Sequence, residues 1–203
     1  SAPDISEIDV IPTGYSTTVQ ASDGSEIATL VAEGSNRQYV TLNEIPKDLQ
    51  HAVVAIEDER FYEHNGIDLK GIARALVTDI KAMDFSQGAS TITQQLIKNN
   101  VLTEQWANEN EGKISKLEKM ERQVQRKIQE MYIAVELEKK VDNKEWILEN
   151  YLNSINLGSN TLGVQAAAQR YFGKDVSELT LSECAVIAGI TKNPAGYNPI
   201  LHP

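Results

Sequence analysis

The sequence is poor in cysteine and in long apolar runs, and both shortages exclude classes of protein. Cys184 is the single cysteine in 203 residues, so the chain can form neither an internal disulfide nor a zinc site built from several cysteines. Its apolar neighbours, residues 185–187, predict a buried packing role for it. No stretch approaches the roughly 18 consecutive apolar residues of a membrane-spanning helix. Residues 1–4 lack the basic and apolar regions of a signal peptide.

Basic residues are scarce as well. The chain has 19 Lys and Arg against 29 Asp and Glu, so its formal net charge is −10. An acidic chain is a poor candidate for general nucleic-acid binding, and we expect no nucleic-acid partner. An anionic ligand would need a local cluster of basic side chains. Hydrophobic residues make up 41% of the chain, enough for a core in one compact domain or two small lobes.

The pattern of residues changes along the chain and predicts two parts. Residues 1–45 are predicted as a β-rich segment, with strands at 14–20, 26–31 and 37–42, and a turn at 22–24. Residues 46–203 are predicted as a helical domain that forms a single functional unit. The fold class is therefore mainly α with a small N-terminal β element. The predicted helical stretches are 46–61, 69–83, 90–100, one through 124–135 after an exposed insertion at 103–121, one capped by Asp142 and Glu145, 164–172, and 180–193.

The first candidate site lies at residues 57–66. On a helix that continues to Phe61, Glu57 follows Val53 by four residues and precedes Phe61 by four, which places its carboxylate on the apolar face. A carboxylate that loses water holds a proton more readily and suits general acid–base chemistry near neutral pH. A helix end rich in surface acids explains the same pattern. His64 falls on the same side, and we interpret it as structural.

The second candidate site lies at residues 87–100. Gly88 frees the backbone, and Ser90 or Thr91 can cap the helix that follows. Backbone N–H groups at a helix N-terminus, together with nearby hydroxyls, form a natural phosphate site. An ordinary cap is the simpler interpretation, but it does not explain the crowding of hydroxyl, amide and lysine side chains over residues 90–98.

The third candidate site lies at residues 122–130. Arg122, Arg126, Lys127 and Glu130 recur at spacings of three and four, so they share one broad helix face. In a chain with net charge −10, this surplus of cations is the strongest candidate for binding phosphate or pyrophosphate. A solvated face with ion pairs along the helix is the alternative.

Taken in order, the three segments resemble the peptidoglycan glycosyltransferase domain (glycosyltransferase family 51) of class A penicillin-binding proteins and monofunctional glycosyltransferases. The family motif E-D-x-x-F-x-x-H-x-G is met by Glu57, Asp58, Phe61, His64 and Gly66. The motif G-x-S-T-I-T-Q-Q-L-x-K-N is met by Gly88, residues 90–96, Lys98 and Asn99. The motif R-K-x-x-E is met by Arg126, Lys127 and Glu130, and further matching residues lie at 147–153, 158–174 and 179–199.

The resemblance covers about residues 15–200, with two departures from the family pattern. Ala89 stands where glycine is common, and residues 103–121 form a longer link than usual between the second and third motifs. The eight-residue spacing from Arg122 to Glu130 indicates that the register of the third motif is kept.

The resemblance implies a lysozyme-like fold and a transferase that polymerises lipid II into β-1,4-linked glycan. It implies inversion at the donor's anomeric carbon and release of undecaprenyl pyrophosphate. Glu57 would be the general base, and Glu130 would assist the departing pyrophosphate, directly or through a divalent cation, Mg²⁺ or Mn²⁺; no cofactor is certain. The resemblance assigns substrate binding to Ser90, Gln95, Lys98, Arg122, Arg126 and Lys127, and supporting roles to Asp58, Phe61 and His64.

The resemblance also implies a location and partners. Family members act at the outer face of the bacterial cytoplasmic membrane, so we expect an excised domain whose N-terminal transmembrane anchor lies outside these 203 residues. The expected partners are lipid II, the growing lipid-linked glycan, the membrane surface and other cell-wall synthesis proteins. Two alternatives stay open: a lysozyme-like enzyme that cleaves glycan, and a cell-wall scaffold without activity. Neither needs all three motifs.

Overall fold

The structure, a computed structural model, describes residues 38–78, 90–103, 106, 115–159 and 161–202, and the backbone of 17–20 and 26–30. The described residues are mainly helical, which confirms the predicted helical class. Within them, no helix combines the length and the apolar character needed to cross a bilayer. The helices are α1 (Lys47–Glu57), α2 (Leu69–Thr78), α3 (Ile92–Ile97), a π-helical turn (Lys98–Leu102), α4 (Lys116–Val141), α5 (Lys144–Leu152), α6 (Val164–Phe172), a 3₁₀ turn (Val176–Glu178) and α7 (Leu181–Lys192).

The N-terminal region contains two short paired strands. Strand β1 (Thr17–Gln20) runs antiparallel to β2 (Glu26–Leu30), with an irregularity between Val19 and Gln20. The predicted turn at 22–24 lies outside the described residues. A β element that forms part of the domain therefore stays a prediction, as does the division at residue 45.

The predicted strand at 37–42 is wrong for its described residues, 38–42. Val40 instead exchanges hydrogen bonds with the side-chain amide of Asn153: its N–H donates to Oδ1 (2.9 Å), and Nδ2 donates to its carbonyl (2.8 Å). The N–H of Leu42 donates to a carboxylate oxygen of Glu149 (2.7 Å). These side chains supply the partners that a neighbouring strand would have offered.

Contacts divide the chain into two compact units. Among the described residues, the first unit holds 57–147, and its fully buried apolar side chains include Phe61, Ile92, Leu96, Leu102 and Ile133. The second unit holds the described residues up to Ile56 and from Leu148 onward. Its fully buried apolar side chains include Leu49, Val53, Leu148, Leu152, Val164 and Ile187, and Cys184 is 1% exposed, which confirms its predicted packing role.

Helix α1 ends earlier than predicted. It stops at Glu57, and a turn follows in which the N–H of Phe61 donates to the carbonyl of Asp58 (2.9 Å). Phe61 is fully buried although it lies outside the helix, and Ile56, the residue before Glu57, is 38% exposed. The apolar spacing predicts a helix as far as Phe61 because Phe61 is buried. In the structure, a non-helical turn after Glu57 buries it instead.

Local capping signals decide the boundaries of α4 and α5. Helix α4 starts at Lys116, inside the predicted insertion 103–121, because Ser115 and Glu118 form a reciprocal capping box. The prediction that Asp142 caps the start of α5 is wrong. Asp142 adopts a left-handed conformation (φ 46°) that ends α4. Asn143 starts α5 instead, and its Oδ1 accepts from the N–H of Trp146 (3.0 Å).

Candidate active site

The turn after α1 is fixed by a buried aspartate. Asp58 is 7% exposed, and its two oxygens accept from Nε2 of His64 (2.9 and 3.0 Å). One of these oxygens also accepts from the N–H of Ile92, the first residue of α3 (2.9 Å). Phe61 lies edge-on to His64, with their ring centroids 6.4 Å apart. Asp58 therefore connects the turn that follows Glu57 to α3, and His64 and Phe61 pack beside it within that turn. The supporting role of these three residues stays a prediction.

The loop that continues from this turn is held by a second ion pair and a glycine. Arg60 donates to both oxygens of Asp68, and this bond keeps the pKa of Asp68 below its usual range. Gly66 has φ +89°, and a Cβ there would lie 2.5 Å from the carbonyl oxygen of Ala134 in α4. The loop therefore runs directly against the backbone of α4, which only glycine permits.

Glu57 is the last residue of α1 and is half-buried. One of its carboxylate oxygens accepts from Nε2 of Gln95 in α3 (2.9 Å). The expected helical face shared with Phe61 does not exist, since α1 ends at Glu57. The glutamine, rather than a continuous apolar face, orients this carboxylate.

Helix α3 begins with a capping box formed by Thr91 and Gln94. The N–H of Gln94 donates to Oγ1 of Thr91 (3.2 Å), and the N–H of Thr91 donates to Oε1 of Gln94 (3.1 Å). Oγ1 of Thr91 donates to the carbonyl of Gly66 (2.6 Å). Because Asp58 accepts from Ile92, these N-terminal donors already have protein partners, so they do not form the open phosphate site expected from the sequence.

Glu130 lies in a polar cluster between α3 and α4. It is 4% exposed, and its Oε1 accepts from Nζ of Lys127 (2.6 Å) and from Nε2 of Gln94 (3.0 Å). Lys127 also donates to Oγ of Ser90 (2.7 Å). Its side chain remains 34% exposed. The cluster thus presents a cation and a hydroxyl beside a buried carboxylate, an arrangement that can bind phosphate oxygens.

The other predicted basic residues have different surroundings. The guanidinium of Arg126 lies over the ring of Trp106, 5.2 Å from its centroid, in cation–π geometry. Arg122 is half-buried one turn earlier on α4, and its charge acts on Glu118. Lys98 is exposed in the π-helical turn after α3. The structure therefore brings Ser90, Lys127 and Glu130 into contact, whereas Arg122 and Lys98 lie outside that contact.

Sequence reasoning missed two residues of α3. Gln94 is fully buried and holds Glu130, and Thr93 is fully buried and donates to Glu138. The signal was present in the run Thr-Gln-Gln, because three consecutive residues on a helix point about 100° apart and cannot all face one substrate.

The described residues do not provide a set of protein ligands for a divalent cation. No group of three or more His, Cys, Asp or Glu side chains in this part of the chain is placed to hold a metal ion. Glu130, the carboxylate considered for such a role, is bonded to Lys127 and Gln94.

Comparison with known proteins identifies what this chain resembles. The sequence model of the family described as Transglycosylase matches residues 23–203. Penicillin-binding protein 1F of Bacillus subtilis (strain 168) is 45% identical over 181 residues, which are 89% of this chain and 23% of that protein. Penicillin-binding protein 1A of Clostridium perfringens (strain 13 / Type A) is 49% identical over 166 residues, 80% of this chain and 22% of that protein.

A third relative matches the whole chain. Penicillin-binding protein 1A/1B of Bacillus subtilis (strain 168) is 38% identical over 203 residues, 100% of this chain and 20% of that protein. The chain therefore spans between about a fifth and a quarter of the length of these relatives.

Proposed function

The chain belongs to the transglycosylase family, as its sequence motifs had indicated, and from this premise we propose that it is a peptidoglycan glycosyltransferase domain. It polymerises lipid II into β-1,4-linked glycan strands. The observation that carries the proposal is the pairing of each candidate carboxylate with a glutamine of α3. Gln95 donates to Glu57, and the adjacent Gln94 donates to Glu130. One short helix thus orients both groups.

In the proposed reaction, the 4-hydroxyl of the acceptor sugar attacks the anomeric carbon of the lipid-linked donor. The new C–O bond forms as the bond from that carbon to the pyrophosphate oxygen breaks, so the configuration inverts. Glu57 takes the hydroxyl proton, and the electron pair of the broken bond leaves with the pyrophosphate. The half-buried position of Glu57 and the hydrogen bond that it accepts from Gln95 support the role of general base.

The Lys127 cluster is proposed to bind the pyrophosphate. Negative charge grows on this leaving group, and a partly exposed ammonium next to a hydroxyl can stabilise it. Lys127 and Ser90 are bonded to each other, and Lys127 also contacts Glu130. Glu130 keeps the ammonium in place while Gln94 keeps Glu130 in place. Arg122, Arg126 and Lys98 add positive charge for the same ligand.

The location and partners are proposed on the same basis. The substrate carries an undecaprenyl chain, so the reaction takes place at the outer face of the cytoplasmic membrane. The full-length protein would hold the domain there through an anchor, and other cell-wall synthesis proteins would act beside it. We also propose that the domain has a lysozyme-like fold.

The test is polymerisation of fluorescent lipid II in detergent by the full chain, with the products separated by size on a gel. We expect lipid-linked polymer from the parent and at least about 100-fold less from Glu57→Gln, since a general base contributes about 10²–10⁴-fold. The glutamine keeps an oxygen that can accept from Gln95, so the local fold is retained. Glu63→Gln, an exposed neighbour, is the matched control and should leave the rate unchanged.

A parallel incubation with intact peptidoglycan separates the alternatives. Release of soluble fragments without any polymer would contradict the proposal and favour a glycan-cleaving enzyme. Polymer formed equally by the parent and by Glu57→Gln would keep the function but remove Glu57 as the base.

A further inference from the structure

A third carboxylate is bonded to α3, and the proposed reaction does not use it. Three consecutive residues of α3 donate to three different carboxylates: Thr93 to Glu138, Gln94 to Glu130, and Gln95 to Glu57. Successive side chains of a helix point about 100° apart, so the three bonds pull in three directions around its axis. Together they fix how far α3 can turn or slide.

Glu138 is also engaged by a lysine from the next helix. It is 7% exposed, and Nζ of Lys144, the first residue of α5, lies 2.9 Å from Oε1 and 2.6 Å from Oε2. The same ammonium lies 4.5 Å from the ring centroid of Phe61. The pair therefore contacts α3 through Thr93 and the turn after Glu57 through Phe61.

Stability alone does not account for this arrangement. Removing two charges from water costs about as much as their attraction returns, so a buried ion pair adds little net stability compared with apolar residues of similar size. A directional bond from Thr93 and a cation–π contact on Phe61 do fix geometry. The bond from Thr93 acts on α3, which carries the glutamines that orient Glu57 and Glu130, and the contact on Phe61 acts on the turn that follows Glu57.

We propose that Glu138 and Lys144 are positioning residues for the transfer reaction. They hold α3 in the rotation at which Gln94 and Gln95 present Glu130 and Glu57 to the substrate. The inference rests on the proposed function, since it assigns a role in that reaction to residues that touch no reacting atom.

The test compares two lysine variants of the full chain. Lys144→Met removes the half-buried lysine partner of Glu138. Lys139→Met removes the partner of Glu136 from an exposed pair on α4 with the same 2.6 Å separation, and it serves as the matched control. We expect kcat for lipid II polymerisation to fall about 10- to 100-fold in Lys144→Met with little change in KM, because a displacement near 1 Å can cost about 100-fold. Lys139→Met should match the parent.

A second variant separates positioning from folding. Glu138→Met combined with Lys144→Met replaces the pair by uncharged side chains of similar length, so the thermal midpoint should return close to the parent's. The reduced kcat should persist, because Thr93 has lost its acceptor. Recovery of kcat together with stability would overturn the proposal and leave a structural role only. A parent-like kcat in Lys144→Met would overturn it as well.

A readout without substrate keeps this inference distinct from the proposed function. The side-chain amide NMR signals of Gln94 and Gln95 should shift in Lys144→Met and stay in place in Lys139→Met. Unchanged signals in both variants would contradict the positioning role, whatever the activity. If the signals shift in Lys144→Met while the parent chain polymerises no lipid II, the positioning geometry is supported and the proposed function is contradicted.

Discussion

The two units of the molecule bury different kinds of polar side chain. Among the described residues, the buried polar groups of the first unit include three carboxylates, and those of the second unit are amides and hydroxyls. The first set is Asp58, Glu130, Glu138, Thr91, Thr93 and Gln94; the second is Gln50, Asn150, Asn153, Ser154, Thr161, Gln165 and Asn198.

The partners differ as well. In the first unit, buried groups bond mainly to other side chains, as Gln94 does to Glu130 and Thr93 does to Glu138. In the second unit they bond mainly to backbone: Gln50 donates to the carbonyls of Leu42 (2.9 Å) and Ile45 (2.8 Å). Bonds between side chains are the minority in folded proteins, and networks of ionisable groups are sensitive to every member. Bonds between buried side chains, as in the first unit, are typical of a reactive site. Bonds from buried side chains to backbone, as in the second unit, are typical of loops that side chains hold in place.

The largest expected effect is on catalysis, from a change in the first unit. Glu130→Gln should lower the polymerisation rate about 10²- to 10³-fold, because Lys127 loses the carboxylate that fixes its ammonium beside Ser90. The rate is measured with fluorescent lipid II. Glu136→Gln, on the exposed ion pair of the same helix, is the control. Equal rates for Glu130→Gln and Glu136→Gln would contradict the proposed role of Glu130 in fixing Lys127.

A change in the second unit should affect folding instead. Asn153→Ala leaves the N–H and carbonyl of Val40 without their side-chain partner, which we expect to lower the free energy of unfolding by about 1–3 kcal/mol. Denaturant unfolding measures this loss. Asn156→Ala, at an exposed asparagine that accepts from the N–H of Gly158, should cost less. A large fall in kcat per folded Asn153→Ala molecule would contradict the expectation that this change in the second unit affects folding and not catalysis.

A smaller effect concerns acid stability in the second unit. Lys174 donates to both oxygens of Glu183 (2.8 and 3.0 Å), which lowers the pKa of Glu183 from 4.5 to about 2. A depressed pKa in the folded state means that the stabilisation is complete above about pH 4.5 and is lost as the pH falls toward about 2. The thermal midpoints of the parent and Glu183→Gln should therefore converge over that range. Glu121→Gln, exposed on α4, should show no such convergence.

The smallest effect concerns Cys184. Burial raises the pKa of this thiol, so little thiolate forms near neutral pH. Iodoacetamide should label the native chain far more slowly than the denatured chain, as measured by mass spectrometry. Fast native labelling would show that the packing around α7 opens readily.

Short-range signals allowed several boundaries to be predicted from the sequence. A capping box of Thr180 and Glu183 begins α7 at the predicted start of that helix, and Gly173 ends α6 with φ +65° directly after the predicted last residue, Phe172. Such signals act within four residues. The choice between Asp142 and Asn143 as the cap of α5 could not be made this way, because it depends on where α4 ends.

Long-range partners explain what the sequence did not reveal. The backbone of residues 38–42 looks strand-forming, but its partner is the side chain of Asn153, 113 residues away from Val40. Thr93 and Gln94 belong to the matched motif, but their acceptors could not be predicted because those acceptors are 45 and 36 residues away. Glu57, Lys127 and Glu130 were identified from motif and charge pattern, whereas their orientation by α3 required the structure.

The most direct test of the account compares two buried glutamines. Gln94 donates to Glu130 and accepts from the N–H of Thr91, and Gln165 donates to Asp175 and accepts from the N–H of Val176. Polymerisation per folded molecule would be measured for Gln94→Leu and Gln165→Leu alongside their thermal midpoints. We expect both to lose stability, but only Gln94→Leu to lose about 100-fold in rate. A parent-like rate in Gln94→Leu, or an equal loss in Gln165→Leu, would contradict the account.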